Sequence, residues 1–346
     1  MTLLVGASMP HQMVYAGNPD RAGQAGAPQL LMNPWARQTG WNSLSTACVS
    51  GLEAERINVA GMAFDPKLRT EVALARTQWL KGTDISINAL GIAQRISESA
   101  VLGFTVVQMS LGDLPVTTEN QPDGGLGTFS PKFTNIGISY SKVFSKRIYG
   151  GVTGRIVSEG IADVKSTGFA LDAGIQYATG KYNQTKFGIS LRNVGLPMRF
   201  SGDGLAVQGQ ITGDKINLTL QQRSERFELP SLMNIGMSYD FLFAEKKDIK
   251  VTLAGNFTSN SFTKDRFGVG AEFNFKSFFM VRAGYSLETS KAKIENTTNA
   301  YTGLGAGASV DIPLNGEKGT RFGVDYSYKP TNFFGGTNVL GIKLSL

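Results

Sequence analysis

The sequence has one cysteine, one histidine and no long apolar run, and each scarcity removes a class of protein. Cys48 alone cannot close an intrachain disulfide, so it reads as a small buried residue. His11 alone leaves a Ser-His-Asp site, a histidine-dependent phospholipase site and a multi-histidine metal site without the residues they need. No stretch approaches the roughly 18 apolar residues of a membrane helix, which excludes helical spans but not a membrane barrel. There is no Walker-type glycine loop. The 34 basic residues are scattered, and only pairs such as Lys246-Lys247 approach a cluster. Nucleic acid is bound by a focused basic groove, so the net charge of +7 is better matched to acidic lipid head groups. No catalytic residue, metal site or cofactor is expected.

What the chain has instead is alternation. In Thr337–Leu346, Leu340, Ile342, Leu344 and Leu346 share one parity, and Gly341, Lys343 and Ser345 share the other. Fourteen such segments are expected, at 69–80, 83–96, 98–111, 131–144, 146–160, 166–180, 184–198, 228–243, 248–260, 264–276, 278–290, 301–313, 320–331 and 337–346. They exceed the ~5–6 residues of ordinary strands and suit the ~9–11 that cross a bilayer at a tilt.

Charge placement tests the assignment, because a charge on the lipid face at mid-membrane costs roughly 2–4 kcal/mol. Asp172, Asp240, Glu272, Arg282, Asp311 and Asp325 all fall on the polar parity. In the first segment Val72 and Leu74 share parity with Arg76, so Ala73, Ala75, Thr77 and Trp79 are expected to face outward instead. The third segment is apolar on both faces, as if its inner face were covered. Trp79, Tyr140, Phe144, Tyr177, Tyr239, Phe241, Tyr285, Tyr326 and Tyr328 lie near segment ends, like interfacial girdles. Links after even-numbered segments are short, and those after segments 3, 7 and 11 are long. That order suits a barrel with an even strand count and both termini in the periplasm.

The expected fold is therefore an all-β transmembrane antiparallel β-barrel of fourteen strands in the bacterial outer membrane, spanning residues 66–346. Residues 23–65 lack sustained alternation and read as an N-terminal lumenal hatch or plug. Residues 1–22 read as a leader remnant or a flexible terminus: Thr2–Ser8 is a short apolar core and Ala16 a small residue, but no Lys or Arg precedes them.

Several short motifs carry a family resemblance. Gly26-Ala27-Pro28-Gln29-Leu30-Leu31 is followed by Asn33-Pro34-Trp35-Ala36-Arg37 and Gly40. Asn58-Val59-Ala60-Gly61-Met62-Ala63, Ser110-Leu111-Gly112-Asp113-Leu114 and Asp325-Tyr326-Ser327-Tyr328 come later. In order and spacing these resemble the PorV/PorQ family of type IX secretion outer-membrane proteins. Val59 stands where a proline is usual, and Thr39-Gly40-Trp41 where a glycine-rich run is usual. The resemblance implies a barrel like the FadL long-chain fatty-acid transporters, with Asn33, Pro34, Arg37, Asn58 and Gly61 as the plug motif. It also implies a non-enzymatic role in type IX protein secretion. The partners would be the large translocon barrel (SprA/Sov-like), secreted cargo bearing a C-terminal signal domain, and outer-membrane lipid and lipopolysaccharide. The same barrel leaves open a FadL-like channel for a hydrophobic small molecule.

The loop between segments 7 and 8 carries Leu205, Val207, Ile211, Ile216, Leu218 and Leu220 amid glycine and charge. It would present an apolar ridge to a partner protein or fold back as a lid. Closing the barrel requires the last segment to pair with the first. Leu344→Asp, or deletion of the last three residues, is expected to impair insertion; normal amounts of heat-modifiable barrel on a gel would refute this.

Overall fold

The structure, a computed structural model, describes residues 17–66, 69–210, 217–243, 248–288, 299–315 and 319–346. Fourteen strands form a closed barrel. They are β1 (Thr70–Gln78), β2 (Ser86–Arg95), β3 (Ala100–Ser110), β4 (Lys132–Ser145), β5 (Ile148–Ile161), β6 (Val164–Thr179) and β7 (Thr185–Gly195). The second half comprises β8 (Leu232–Phe243), β9 (Ile249–Asn260), β10 (Arg266–Phe275), β11 (Phe279–Glu288), β12 (Leu304–Asn315), β13 (Thr320–Lys329) and β14 (Thr337–Ser345). Every strand pairs antiparallel with its sequence neighbours. β1 and β14 close the ring with Val72 opposite Leu344 and Leu74 opposite Ile342. No strand edge is then left facing hydrocarbon, where its amides would have no partner.

Alternation sorts the side chains as the lipid demands. On β6, Phe169, Leu171, Ile175 and Tyr177 face outward, while Asp172 and Gln176 are buried inside. Asp240, Arg282, Asp311 and Asp325 are likewise buried in the lumen, and Glu272 lies among them. Tyr140, Phe144, Tyr177, Tyr239 and Phe241 ring the outer face at the end carrying the barrel's termini, and Tyr285, Tyr326 and Tyr328 ring it at the loop end. This transmembrane barrel therefore has an aromatic girdle at each interface.

Two expectations about the first strand are corrected. Ala73, Ala75 and Thr77 face inward and are buried, whereas Val72, Leu74 and Arg76 face outward. The hatch presses on this wall, which leaves room only for small inward side chains. Arg76 sits two residues from the loop end of β1, where a long side chain can reach the interface and the cost of an outward charge is small. Trp79 is not part of a girdle: it packs against the hatch cluster and its Nε1–H donates to Tyr301 Oη at 2.8 Å.

The hatch fills the lumen with short turns rather than long elements. Its pieces are 3-10 turns at Pro28–Leu31, Leu52–Arg56 and Val59–Ala63, and one helix, α1 (Ala36–Gly40). α1 packs against β11–β14, and the turn at Val59–Ala63 packs against β3–β6. Wall glycines allow this approach: a methyl at Gly188 would lie 2.3 Å from the Thr46 carbonyl oxygen, and one at Gly103 would lie 2.4 Å from Met62 Cε. The doubly apolar β3 is explained by the same contact, since Val101, Val107 and Met109 pack on the hatch while Leu102 and Phe104 face outward.

At the loop end, the flanks of the 196–231 connection fold back over the barrel mouth. Met198 and Leu229 pack with Ala27, Leu30, Val157 and Ala170, and the Gly26 amide donates to the Glu228 carbonyl at 3.0 Å. Between those flanks a two-stranded ribbon, Ala206–Gln210 with Asn217–Gln221, stands apart from the barrel sheet.

Candidate functional site: the hatch, its latches and the lumen

The plug motif seats the hatch through two sets of polar contacts on opposite walls. On the first, Asn33 Oδ1 accepts the Trp35 amide at 3.0 Å and the Asn33 carbonyl accepts the Thr39 hydroxyl at 3.0 Å, with Pro34 buried between them. This start to α1 aims Arg37 at the wall. Its guanidinium meets Asp311 of β12 at 2.9 Å and Asp325 of β13 at 3.0 Å. Asp325 also accepts from Ser309, which in turn accepts from Arg282 at 2.6 Å. Arg282 pairs with Glu272 at 2.8 Å, and the Trp41 Nε1–H donates to the same Glu272 carboxylate at 3.3 Å.

On the other wall, Asn58 opens the Val59–Ala63 turn by accepting the Ala60 amide at 3.3 Å. Its Nδ2 donates to the carbonyls of Thr46 in the hatch and Ile175 in β6, both at 3.0 Å. Gly61 must be glycine, because a methyl there would lie 2.2 Å from the Val49 carbonyl oxygen. Beside it, fully buried Arg155 of β5 bridges Glu55 of the hatch at 2.6 Å and Asp172 of β6 at 2.8 Å. Asp172 is held by the Asn193 amide at 2.6 Å, at a bulge where Asn193 adopts φ 59° and the register of β6 and β7 shifts. Removing one member of so buried a set strands the others as uncompensated charges, at about 3–5 kcal/mol.

Composition alone did not single out Glu53, Glu55, Arg56 or Arg155. The available signal was Glu53-Ala54-Glu55-Arg56, three charges inside an otherwise small and apolar stretch. Arg56 is completely buried, and none of its guanidinium nitrogens has a hydrogen-bond partner among the described residues. Burial, with Arg155 close by, pulls its pKa down to about 9. The closed hatch thus carries an unpaired cation next to its tightest latch, which weakens the closed state relative to a fully paired one.

The remaining lumen is asymmetric. A cavity of about 830 Å³ opens toward the end carrying the barrel's termini and is lined by polar groups including Glu71, Lys186, Asp240, Lys250 and Arg321. Lys186 pairs with Asp240 of the adjacent strand on its wall at 2.6 Å. Cys48 lines this vestibule and is half-buried, where a small buried residue was expected. Along the β1–β6 side the hatch instead meets the wall through a continuous apolar seam. Trp79, Ile85, Leu111 and Phe133 belong to it at the loop end, Leu52, Val59 and Met62 in the middle, and Phe64, Tyr149 and Ala178 at the other end.

The loop residues singled out by sequence lie elsewhere. Val207, Leu218 and Leu220 are exposed on one face of the ribbon, with Val207 opposite Leu220, and Leu205 is half-buried at its base. Ile211 and Ile216 lie outside the described residues.

These features define a hatch-plugged transmembrane barrel, and comparison with solved structures specifies the fold further as that of the FadL-like barrels. The toluene transporter TodX of Pseudomonas putida matches with a TM-score of 0.56 at 13% identity, covering 91% of this chain and 97% of its own. The monoaromatic hydrocarbon channel CymD gives 0.51 at 12% identity, covering 95% and 98%. A Pseudomonas aeruginosa FadL homologue gives 0.50 at 12%, covering 90% and 96%. No family model matches, and no curated protein matches. The expected role in type IX secretion is therefore corrected: the solved structures sharing this architecture include channels for hydrophobic small molecules, and no comparison supports a PorV-type assignment.

One hatch carboxyl makes seating pH-dependent. Burial, reinforced by Asp325 and then Glu71 against the pull of Lys343 and Arg37, pushes the Glu53 carboxyl up to about 7. A carboxyl raised on docking contributes stability that is fully present below its free pKa near 4.5 and is lost as pH rises through about 7. Amides of residues 49–63 are expected to be more protected from hydrogen exchange at pH 5 than at pH 8, after correction for intrinsic rates, with the difference diminished in Glu53→Gln. Equal protection at both pH values in the parent protein would contradict this.

Proposed function

We propose that this chain is a hatch-gated outer-membrane channel for hydrophobic small molecules, oriented with the barrel's termini in the periplasm and the long loops outside. The observation that carries the reading is the apolar seam, which runs between hatch and wall from one end of the barrel to the other. A displaced hatch would expose that seam as a greasy track, and the charged latches on the β11–β14 side set the closed register from which it shifts. The hydrocarbon channels that share the fold support the same solute class. The apolar face of the ribbon, Val207, Leu218 and Leu220, is assigned as the first surface that a solute meets outside.

Burial of apolar solute surface contributes roughly 25 cal/mol per Å², enough to draw a small aromatic molecule along the seam without fixed polar contacts. The polar vestibule beyond it would hold such a solute weakly and so favour release. No chemistry is performed on the solute. Expressed in a Gram-negative host lacking its own channel of this fold, the protein is expected to accelerate uptake of radiolabelled toluene, with no swelling of proteoliposomes in sugar solutions. Porin-like sugar swelling without toluene uptake would overturn the reading.

A further inference from the structure

The lipid-facing column of β6 begins with a cation. Lys165, Thr167, Phe169, Leu171, Ile175 and Tyr177 share the outward parity, so the column runs from an ammonium group at the loop end to an aromatic ring at the other. Lys165 to Tyr177 is twelve residues, about 40 Å of strand at ~3.3 Å per residue, and at a tilt near 45° this is close to the ~30 Å hydrocarbon thickness. Lys165 therefore stands at head-group level.

It is not alone there. Lys165, Arg199 and Arg226, with the hydroxyls of Thr167 and Ser201 and the apolar Leu196, line a cleft of about 560 Å³. Backbone pairing holds the cleft in shape: Lys165 and Ser201 exchange amide–carbonyl bonds of 2.8 and 3.0 Å, and Met198 and Phe227 exchange bonds of 2.8 and 2.9 Å. The three cations thus sit on three chain segments fixed to one another. Among the described residues no carboxylate lines the cleft and none of the three cations forms an ion pair. Leu196 is 76% exposed at the rim, and Val194, opposite Leu171, faces outward just below it.

We propose that this cleft is a binding site for a phosphate-bearing lipid of the surrounding leaflet. Its phosphates would lie among Lys165, Arg199 and Arg226, and its acyl chains would run down the face of Leu196, Val194, Phe169 and Leu171. Three clustered cations and two hydroxyl donors suit the several acceptor oxygens of a phosphate, and the adjoining apolar column suits chains rather than a water-soluble anion. The site lies on the outside of the barrel and is independent of what crosses the lumen.

The test measures binding of diphosphoryl lipid A to the full-length barrel in zwitterionic detergent, by native mass spectrometry and by the rise in thermal unfolding midpoint. The triple variant Lys165→Gln/Arg199→Gln/Arg226→Gln is expected to bind roughly a hundredfold more weakly, as three lost cations near an anionic head group imply. Its heat-modifiable gel mobility should match the parent, because all three side chains are exposed. A control pair on the same rim, Lys81→Gln/Lys132→Gln, should stay within about twofold of the parent. Equal lipid binding by the parent and triple variant would overturn the proposal, as would an equal loss in the control pair. Displacement of the lipid by inorganic phosphate at comparable concentration would also overturn it, by marking a free-phosphate site.

Discussion

A backbone amide in hydrocarbon has no water to bond, and the whole molecule follows from that constraint. It forces the pairing of β1 with β14, since an open edge would leave a row of unpaired groups in lipid. Closure then creates an inside. Because the outward parity is spent on apolar residues, the inward parity is free to be polar, and the lumen fills with Asp172, Arg155, Arg282 and Asp325. Charges in a space so closed need partners, and the hatch supplies them through Arg37 and Glu55.

The hatch therefore has two unlike sides. Toward β11–β14 it is held by ion pairs and hydrogen bonds that have a definite geometry. Toward β1–β4 it is held by packing, with Leu52 against Gly91 and Met62 against Gly103, and at β5–β6 the packing of Val59 is joined by the Arg155–Glu55 pair and the Asn58–Ile175 hydrogen bond. Directional bonds fix register, whereas apolar packing tolerates sliding and admits another apolar molecule in place of a side chain. The unpaired guanidinium of Arg56 and the raised carboxyl of Glu53 both lie in the segment joining the two sides. Seating of the plug is thus poised rather than maximally stable, which suits the proposed gating.

Much of this architecture is legible in the sequence. Strand count, strand order and the inward placement of Asp172, Asp240, Glu272, Arg282, Asp311 and Asp325 follow from a period of two and the cost of a charge in lipid. What could not be read was where the hatch presses on the wall. Ala73 and Ala75 face inward because of that contact, and parity with Arg76 misled on this strand. Asn33, Asn58 and Gly61 of the plug motif are used to cap turns and to let chains approach closely, so their spacing reports how a hatch is seated and says nothing about cargo. The secretion role rested on that motif, and the solved structures that share the whole fold include hydrocarbon channels instead.

The central claim is that solute passes only when the hatch shifts against the wall. A methyl at Gly341 of β14 would lie 3.4 Å from Ala36 Cβ in α1, close to the ~3.8 Å typical of disulfide-linked residues. An Ala36→Cys/Gly341→Cys variant, made with Cys48→Ala, can therefore be locked by oxidation. Toluene uptake by cells carrying it should stop in the oxidised state and return to the parental rate on reduction; undiminished uptake with the cross-link fully formed would contradict the account.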